Sequence, residues 1–171
     1  MYIRNLTLTI ALVLCSSAMA TDPSTLSKEV VVRASLDDVW NAWTTADGLA
    51  FISKKSNVDL RLNGPYEWFL DLGPDENGIS GSEGSRILAY LPREMLAFSW
   101  TFPPDVPELR NARETTQVVV RFTDQGNDSV LVRLDVIGWK DGEPWQRGYE
   151  YFDEAWGYVL EALKEDLETR S

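Results

Sequence analysis

Histidine is absent from this sequence, and cysteine occurs once, at Cys15. A chain without histidine cannot build a Ser-His-Asp triad, and without a set of histidines and cysteines it cannot build an ordinary zinc site. A single cysteine also leaves no partner for an intrachain disulfide. The groups that remain for catalysis are carboxylates, lysine, tyrosine, serine and arginine, so composition excludes much hydrolytic and metal-dependent chemistry.

The N-terminal segment has the order of a secretory signal peptide. Arg4 supplies the positive start, residues 6–15 are almost wholly apolar, and an A-x-A cleavage site ends at Ala20. The apolar run is shorter than the roughly 20 residues that a membrane-spanning helix needs. Two alternatives stay open: an uncleaved membrane anchor, and lipid attachment at Cys15, against which the large Leu14 argues. We predict a signal peptide at 1–20 and a periplasmic or secreted chain of 21–171.

The mature chain is strongly acidic. Removal of residues 1–20 takes away Arg4 and Cys15, which makes the net charge one unit more negative than the −11 of the full chain. A negative field disfavours nucleic acid and anionic lipid surfaces. We therefore expect no nucleic-acid partner. The short apolar run predicts no stable membrane insertion after signal cleavage, and we expect no metal and no cofactor. About 150 residues can bury one core without disulfides.

The remaining pattern predicts an α+β domain rich in antiparallel hairpins. Two short helices are predicted at 36–43 and 46–51, and a long amphipathic helix from Pro144 onward. A polar loop is expected at 73–78, and a stiff proline-rich connection at 103–107. Strands are predicted at 26–34, 58–62, 66–72, 85–91, 95–102, 115–123 and 129–139.

A curved antiparallel sheet has one face to bury, and the long helix has one apolar stripe to bury. The simplest arrangement lays the helix across the concave side of a sheet of six or seven strands.

Five motifs in order give the chain a resemblance to a known family. They are ASLDDVWNAWT at 34–44, GPYEW at 64–68, PREMLAFSW at 92–100, TQVV at 116–119 and AWGYVLEALK at 155–164. Together they resemble the START-like (SRPBCC, helix-grip) superfamily, in its branch of activator-of-heat-shock-protein-ATPase homologues (Aha-type). Val136 departs from the histidine of many relatives, Ala155 replaces a usual glycine, and an export signal is unusual for this branch.

The resemblance implies a cavity between the sheet and the long helix. Such sites are mostly apolar with a few orienting polar groups, and the chain carries 7 tryptophans. The alternative is that these rings fill the core. Gly148 and Gly157, inside the predicted long helix, would leave space for a ligand or mark a bend. The candidate lining residues are Trp40, Trp43, Phe51, Trp68, Trp100, Phe102, Trp139, Tyr149, Phe152 and Trp156.

Three functions follow from this reading. The first is a non-catalytic carrier or sensor of a small hydrophobic or aromatic molecule. The second is a cyclase/aromatase-like or lyase-like enzyme, which needs a buried acid such as Glu67, Glu150 or Asp153. The third is a protein-interaction module with an unknown partner. A charged residue of the sheet or helix that points inward needs a partner, and an ion pair of the Asp153–Arg121 type is one option, but most of these residues are expected to lie on solvated faces.

Overall fold

A computed structural model describes residues 25–70, 78 and 80–170. The predicted signal peptide and nearly all of the polar loop predicted at 73–78 lie outside the described residues. The helices are α1 (Leu36–Thr44), α2 (Pro107–Asn111) and α3 (Glu143–Arg170), with a 3₁₀ helix at Gly48–Phe51. The strands are β1 (Leu26–Val32), β2 (Ser56–Val58), β3 (Tyr66–Trp68), β4 (Ile87–Leu91), β5 (Met95–Thr101), β6 (Thr115–Asp124) and β7 (Val130–Ile137).

The strands form two antiparallel sheets. The larger has the order β1-β7-β6-β5-β4, and β2 pairs with β3 in a separate hairpin. An isolated bridge between Pro65 and Arg86 joins the hairpin to the start of β4. The α+β helix-grip prediction is confirmed. The described strands form one sheet of five and one of two, whereas the sequence predicts a single sheet of six or seven strands.

The predicted strand 58–62 is wrong. Its alternation of apolar and polar residues is typical of a strand, but the chain turns there. The backbone N–H of Asp59 donates to the carbonyl of Pro65 at 3.0 Å, and that of Gly64 to Arg61 at 2.9 Å. A Cβ on Gly64 would lie 2.1 Å from the oxygen of Asp59, so only glycine fits this close approach. The hairpin therefore uses the earlier residues Ser56–Val58.

Helix α1 begins where the capping signal predicts. The side chain of Ser35 accepts a hydrogen bond from the backbone N–H of Asp38 at 3.1 Å, which satisfies one of the free donors of the first turn. The second helix, predicted at 46–51, is a single 3₁₀ turn at Gly48–Phe51. Helix α2 was predicted only as a stiff connection; Pro107 stands in its first turn, where its missing N–H costs nothing.

Helix α3 packs its apolar stripe against the sheet. Its buried residues include Phe152, Trp156, Leu160, Leu163 and Leu167, at spacings of three and four. No described helix is long and apolar enough to cross a membrane.

The suggested pairing of Asp153 with Arg121 is wrong. Asp153 on α3 pairs with Lys28 at 2.8 Å, and Arg121 pairs with Asp135. Successive side chains of a strand point to opposite faces. Because Val120 is buried on the helix side of β6, Arg121 lies on the outer face, out of reach of α3.

Candidate functional site

A cleft opens between the first half of α3, the ends of β3 and β5, and the 3₁₀ helix. Its volume is about 330 Å³. It is lined by Phe51, Ile52, Trp68, Leu70, Gly81, Ser82, Trp100, Thr101, Phe102, Pro103, Arg110, Tyr151, Phe152, Ala155, Trp156, Tyr158 and Val159.

Three tryptophans form one wall of the cleft. The ring centroids of Trp68 and Trp100 are 4.8 Å apart, and those of Trp100 and Trp156 are 5.1 Å apart. None of the three rings is more than 5% exposed. Edge-to-face and tilted contacts at these distances hold aromatic rings in fixed orientations. The wall is therefore a preformed apolar surface.

A second wall depends on a glycine in α3. Phe102 packs 5.7 Å from Phe152, centroid to centroid, and lies directly against the helix backbone at Gly148. A Cβ at position 148 would lie 2.6 Å from Cε1 of Phe102. Gly148 thus permits a close approach of strand and helix, while a Cβ at Gly157 would meet nothing within 4 Å. The two glycines, equivalent in the sequence, therefore have different surroundings in the structure.

The cleft also contains polar groups that sequence reasoning missed. Arg110 on α2 is 4% exposed, and its Nη1 donates to the carbonyl of Phe102 at 2.8 Å. Burial raises the pKa of Tyr151, the nearby Asp105 raises it further, and Arg110 opposes them. Ser82 is buried, and its Oγ accepts from the backbone N–H of Trp68 at 2.8 Å. Of these residues only Tyr151 could have been found from the sequence, because it lies four residues before Ala155 and therefore on the same face of the predicted long helix.

The cleft opens to solvent along an apolar rim. Tyr158 is 69% exposed, and Phe51, Ile52 and Leu70 are partly exposed. The rim of the cleft is therefore accessible from solvent.

Six of the ten predicted lining residues meet in this cleft. They are Phe51, Trp68, Trp100, Phe102, Phe152 and Trp156.

The other four lie elsewhere. Trp43 is fully buried behind the cleft, 6.0 Å from Trp68. Trp40 packs against Phe122 in the core, at 5.6 Å. Trp139 and Tyr149, 5.1 Å apart, line a separate surface groove near the start of α3. Trp40 and Trp43 therefore have the core-filling role that was the alternative.

The three candidate acids lie outside the cleft. Glu67 accepts from Nδ2 of Asn57 at 2.7 Å and from the backbone N–H of Gly84 at 2.9 Å. Glu150 is exposed, and Asp153 pairs with Lys28. None of these carboxylates lines the cleft.

The buried carboxylate of the described chain is Asp135, on the outer face of the sheet. Burial alone would raise its pKa, but a hydrogen bond from Ser27 and the guanidinium groups of Arg133 and Arg121 hold it below its ordinary value. Within the described ranges, no group of three or more histidine, cysteine or acidic residues could hold a metal ion.

Comparison with known proteins identifies the family to which this chain is similar. The family model described as Activator of Hsp90 ATPase homolog 1-like protein matches residues 33–168. No curated protein matches the sequence.

Three solved structures show the same fold at low identity. Protein MLL2253 from Mesorhizobium loti is 16% identical, with a TM-score of 0.67 over 86% of this chain and 98% of that one. Protein NE0264 from Nitrosomonas europaea is 16% identical, with a TM-score of 0.64 over 88% and 98%. The Aha1 dimer from Colwellia psychrerythraea is 18% identical, with a TM-score of 0.59 over 84% and 96%.

The five sequence motifs, the helix-grip topology and a family match over most of the chain agree. The chain belongs to the family of Activator of Hsp90 ATPase homolog 1-like proteins, within the START-like (SRPBCC) superfamily.

Proposed function

We propose that this protein is an exported, non-catalytic carrier or sensor of a small hydrophobic or aromatic molecule. The observation that carries the proposal is the aromatic cleft between α3 and the sheet, open to solvent at Tyr158. Its volume of about 330 Å³ is at the lower end of the range usual for small-molecule sites. Its exposed and half-exposed rim residues Phe51, Ile52, Leu70 and Tyr158 offer apolar contact to a ring system, and the packed tryptophans behind them hold the shape of the cleft.

The placement of the acids favours binding over catalysis. General acid–base work needs a proton donor or acceptor within hydrogen-bond reach of the substrate. Glu67, Glu150 and Asp153 are engaged outside the cleft or exposed to solvent. The lining offers Arg110, Tyr151 and Ser82 instead, which suit the orientation of a bound molecule.

Export separates this protein from a cytosolic chaperone partner. An exported chain loses residues 1–20 as a signal peptide, so N-terminal sequencing of the protein from an envelope or culture fraction should begin at Thr21. Recovery of the uncut chain in the cytosol would contradict the localisation and leave the cleft proposal intact.

A matched pair of α3 variants tests the cleft. Ala155 lines it, and Ala162, two turns further along the helix and similarly half-buried, does not. In Ala155→Phe the new ring fills the cleft, whereas Ala162→Phe adds the same ring elsewhere. We expect the neutral dye N-phenyl-1-naphthylamine to quench tryptophan fluorescence saturably in the wild type and in Ala162→Phe. Affinity in Ala155→Phe should fall at least about tenfold, because the site is blocked.

Native mass spectrometry provides a second readout. Protein purified from its own cell envelope should carry an extra mass that is lost on denaturation and reduced in Ala155→Phe. Equal dye affinity in all three proteins, or no saturable quenching in any of them, would refute a ligand site in the cleft.

A further inference from the structure

A second groove lies where the chain passes from β7 into α3. We infer that this groove binds a saccharide of glucose-type pyranose rings, with the ring against Trp139 and Tyr149 and the hydroxyl groups on the polar side chains around them. Its volume is about 480 Å³, within the range usual for small-molecule sites. The groove and the aromatic cleft share no lining residue, so this site is separate from that of the proposed function.

Two aromatic rings form the apolar part of the groove. Trp139 follows the end of β7, and Tyr149 lies near the start of α3. Their centroids are 5.1 Å apart and their planes are inclined by 60°, so the rings form a corner. Both residues are half-buried, which leaves part of each in reach of a bound molecule. The equatorial hydroxyls of a glucose-type ring leave C–H groups on its two faces, and such an apolar face packs on aromatic rings.

Trp139 is held in place by the core behind it. Its Nε1 donates to the backbone carbonyl of Val136 at 3.0 Å. Its ring centroid lies 6.3 Å from that of Phe102 and 6.2 Å from that of Phe152. A ring that is already fixed loses little conformational freedom when a ligand binds. The aromatic corner is therefore preorganised.

The polar part of the groove offers both donors and acceptors. Asp141 is exposed, and its side chain has no ion-pair or hydrogen-bond partner among the described residues. The Nε2 of Gln146 donates to Glu150 at 2.9 Å, which leaves the amide oxygen as an acceptor. The Nζ of Lys140 has three donors, one of which meets Glu114 at 2.7 Å. Each sugar hydroxyl both donates and accepts, so it can use all three lining groups.

The charges of the groove favour a neutral ligand. The ammonium of Lys140 lies 4.9 Å from the ring centroid of Trp145, where a cation is attracted by the aromatic face. This position is thus taken by a cation of the chain itself, which repels a cationic ligand, while the carboxylate of Asp141 repels an anionic one. A neutral polyhydroxy molecule avoids both repulsions.

The binding test uses two trisaccharides and an acyclic control. Cellotriose and chitotriose carry the glucose-type ring, whereas sorbitol has similar hydroxyl groups and no ring face. Titration of the wild type, followed by tryptophan fluorescence, should saturate with a trisaccharide and show no response to sorbitol. No saturable binding of either trisaccharide, or an equal response to sorbitol, would overturn the inference.

A matched pair of variants tests the aromatic corner. Tyr149→Phe keeps the ring and should bind the trisaccharide as the wild type does. Tyr149→Leu removes the ring and should weaken binding at least about fivefold. Equal affinity in folded Tyr149→Leu and Tyr149→Phe would contradict the stacking role of Tyr149.

A second pair tests the polar side and does not disturb the core. Asp141→Ala removes an exposed acceptor of the groove and should weaken binding several-fold. Glu94→Ala makes the same change in net charge in the β4–β5 turn, beside Phe122 near the far end of β6, and should have no effect. The same loss in both variants, or in neither, would refute the assignment of Asp141.

The cleft variant separates this site from the proposed function. Ala155→Phe should lose affinity for the naphthylamine dye and keep its affinity for the trisaccharide, and Tyr149→Leu should show the reverse. Loss of trisaccharide binding in folded Ala155→Phe would place the sugar in the cleft and overturn the inference. Failure of dye binding with intact trisaccharide binding would refute the proposed function alone.

Discussion

The two glycines of α3 allow a matched test of the packing that shapes the cleft. In Gly148→Ala the added Cβ would lie 2.6 Å from Cε1 and 3.0 Å from Cδ1 of Phe102. The ring cannot move freely, because it is fully buried and packs against Trp145 at 5.1 Å and Phe152 at 5.7 Å. Forcing an extra carbon into such packing costs about 1–3 kcal/mol.

The helix itself favours both substitutions. Alanine in a helix interior is better than glycine by about 1 kcal/mol. Gly148→Ala should therefore destabilise the protein by a net of up to about 2 kcal/mol. Gly157→Ala meets nothing within 4 Å and should stabilise it by about 0.5–1 kcal/mol.

Urea unfolding followed by far-UV circular dichroism measures both changes. The urea concentration at the unfolding midpoint should shift in opposite directions in the two variants. The dependence of the unfolding free energy on urea concentration should stay the same, since neither variant alters the surface exposed on unfolding. Because Phe102 lines the cleft, Gly148→Ala should also weaken dye binding, and Gly157→Ala should not. A Gly148→Ala variant as stable as Gly157→Ala would refute the close approach of Phe102 to the helix.

Two further predictions concern buried polar groups. The hydroxyl of Tyr66 donates to the carbonyl of Trp43 at 2.7 Å. Tyr66→Phe removes this hydrogen bond and should lower the free energy of unfolding by about 1–2 kcal/mol. Urea unfolding measures the change, and an unchanged free energy of unfolding would contradict the bond. Asp135→Asn removes the carboxylate that joins Ser27 to Arg133 and should cost about 1–2 kcal/mol at about pH 7. Because the folded pKa of Asp135 is depressed, this contribution is present above the ordinary pKa of about 3.9 and is lost as the pH falls through the folded value. The difference between wild type and Asp135→Asn should therefore shrink in acid; a constant difference would contradict the charge contribution.

Local sequence patterns were sufficient for most secondary structure. Strand β7 follows from Val130, Val132, Leu134 and Val136 on one face with Arg133 and Asp135 on the other, and α3 follows from its apolar spacing of three and four. These periods repeat within a few residues, so they act before any distant contact forms. The same reasoning failed at 58–62, where a short alternating pattern was overruled by the turn at Gly64.

The sequence by itself determined the α+β class, the family motifs, the long helix and the wealth of aromatic residues. Tertiary structure alone decided which rings meet. Trp40 and Trp43 lie three residues apart on α1, yet Trp40 packs on Phe122 and Trp43 on Trp68. It also brought Arg110, on a helix the sequence did not predict, to the cleft. The physical reason is that periodicity fixes the face on which a side chain lies, whereas its neighbours depend on strand order and helix packing between residues far apart in the chain.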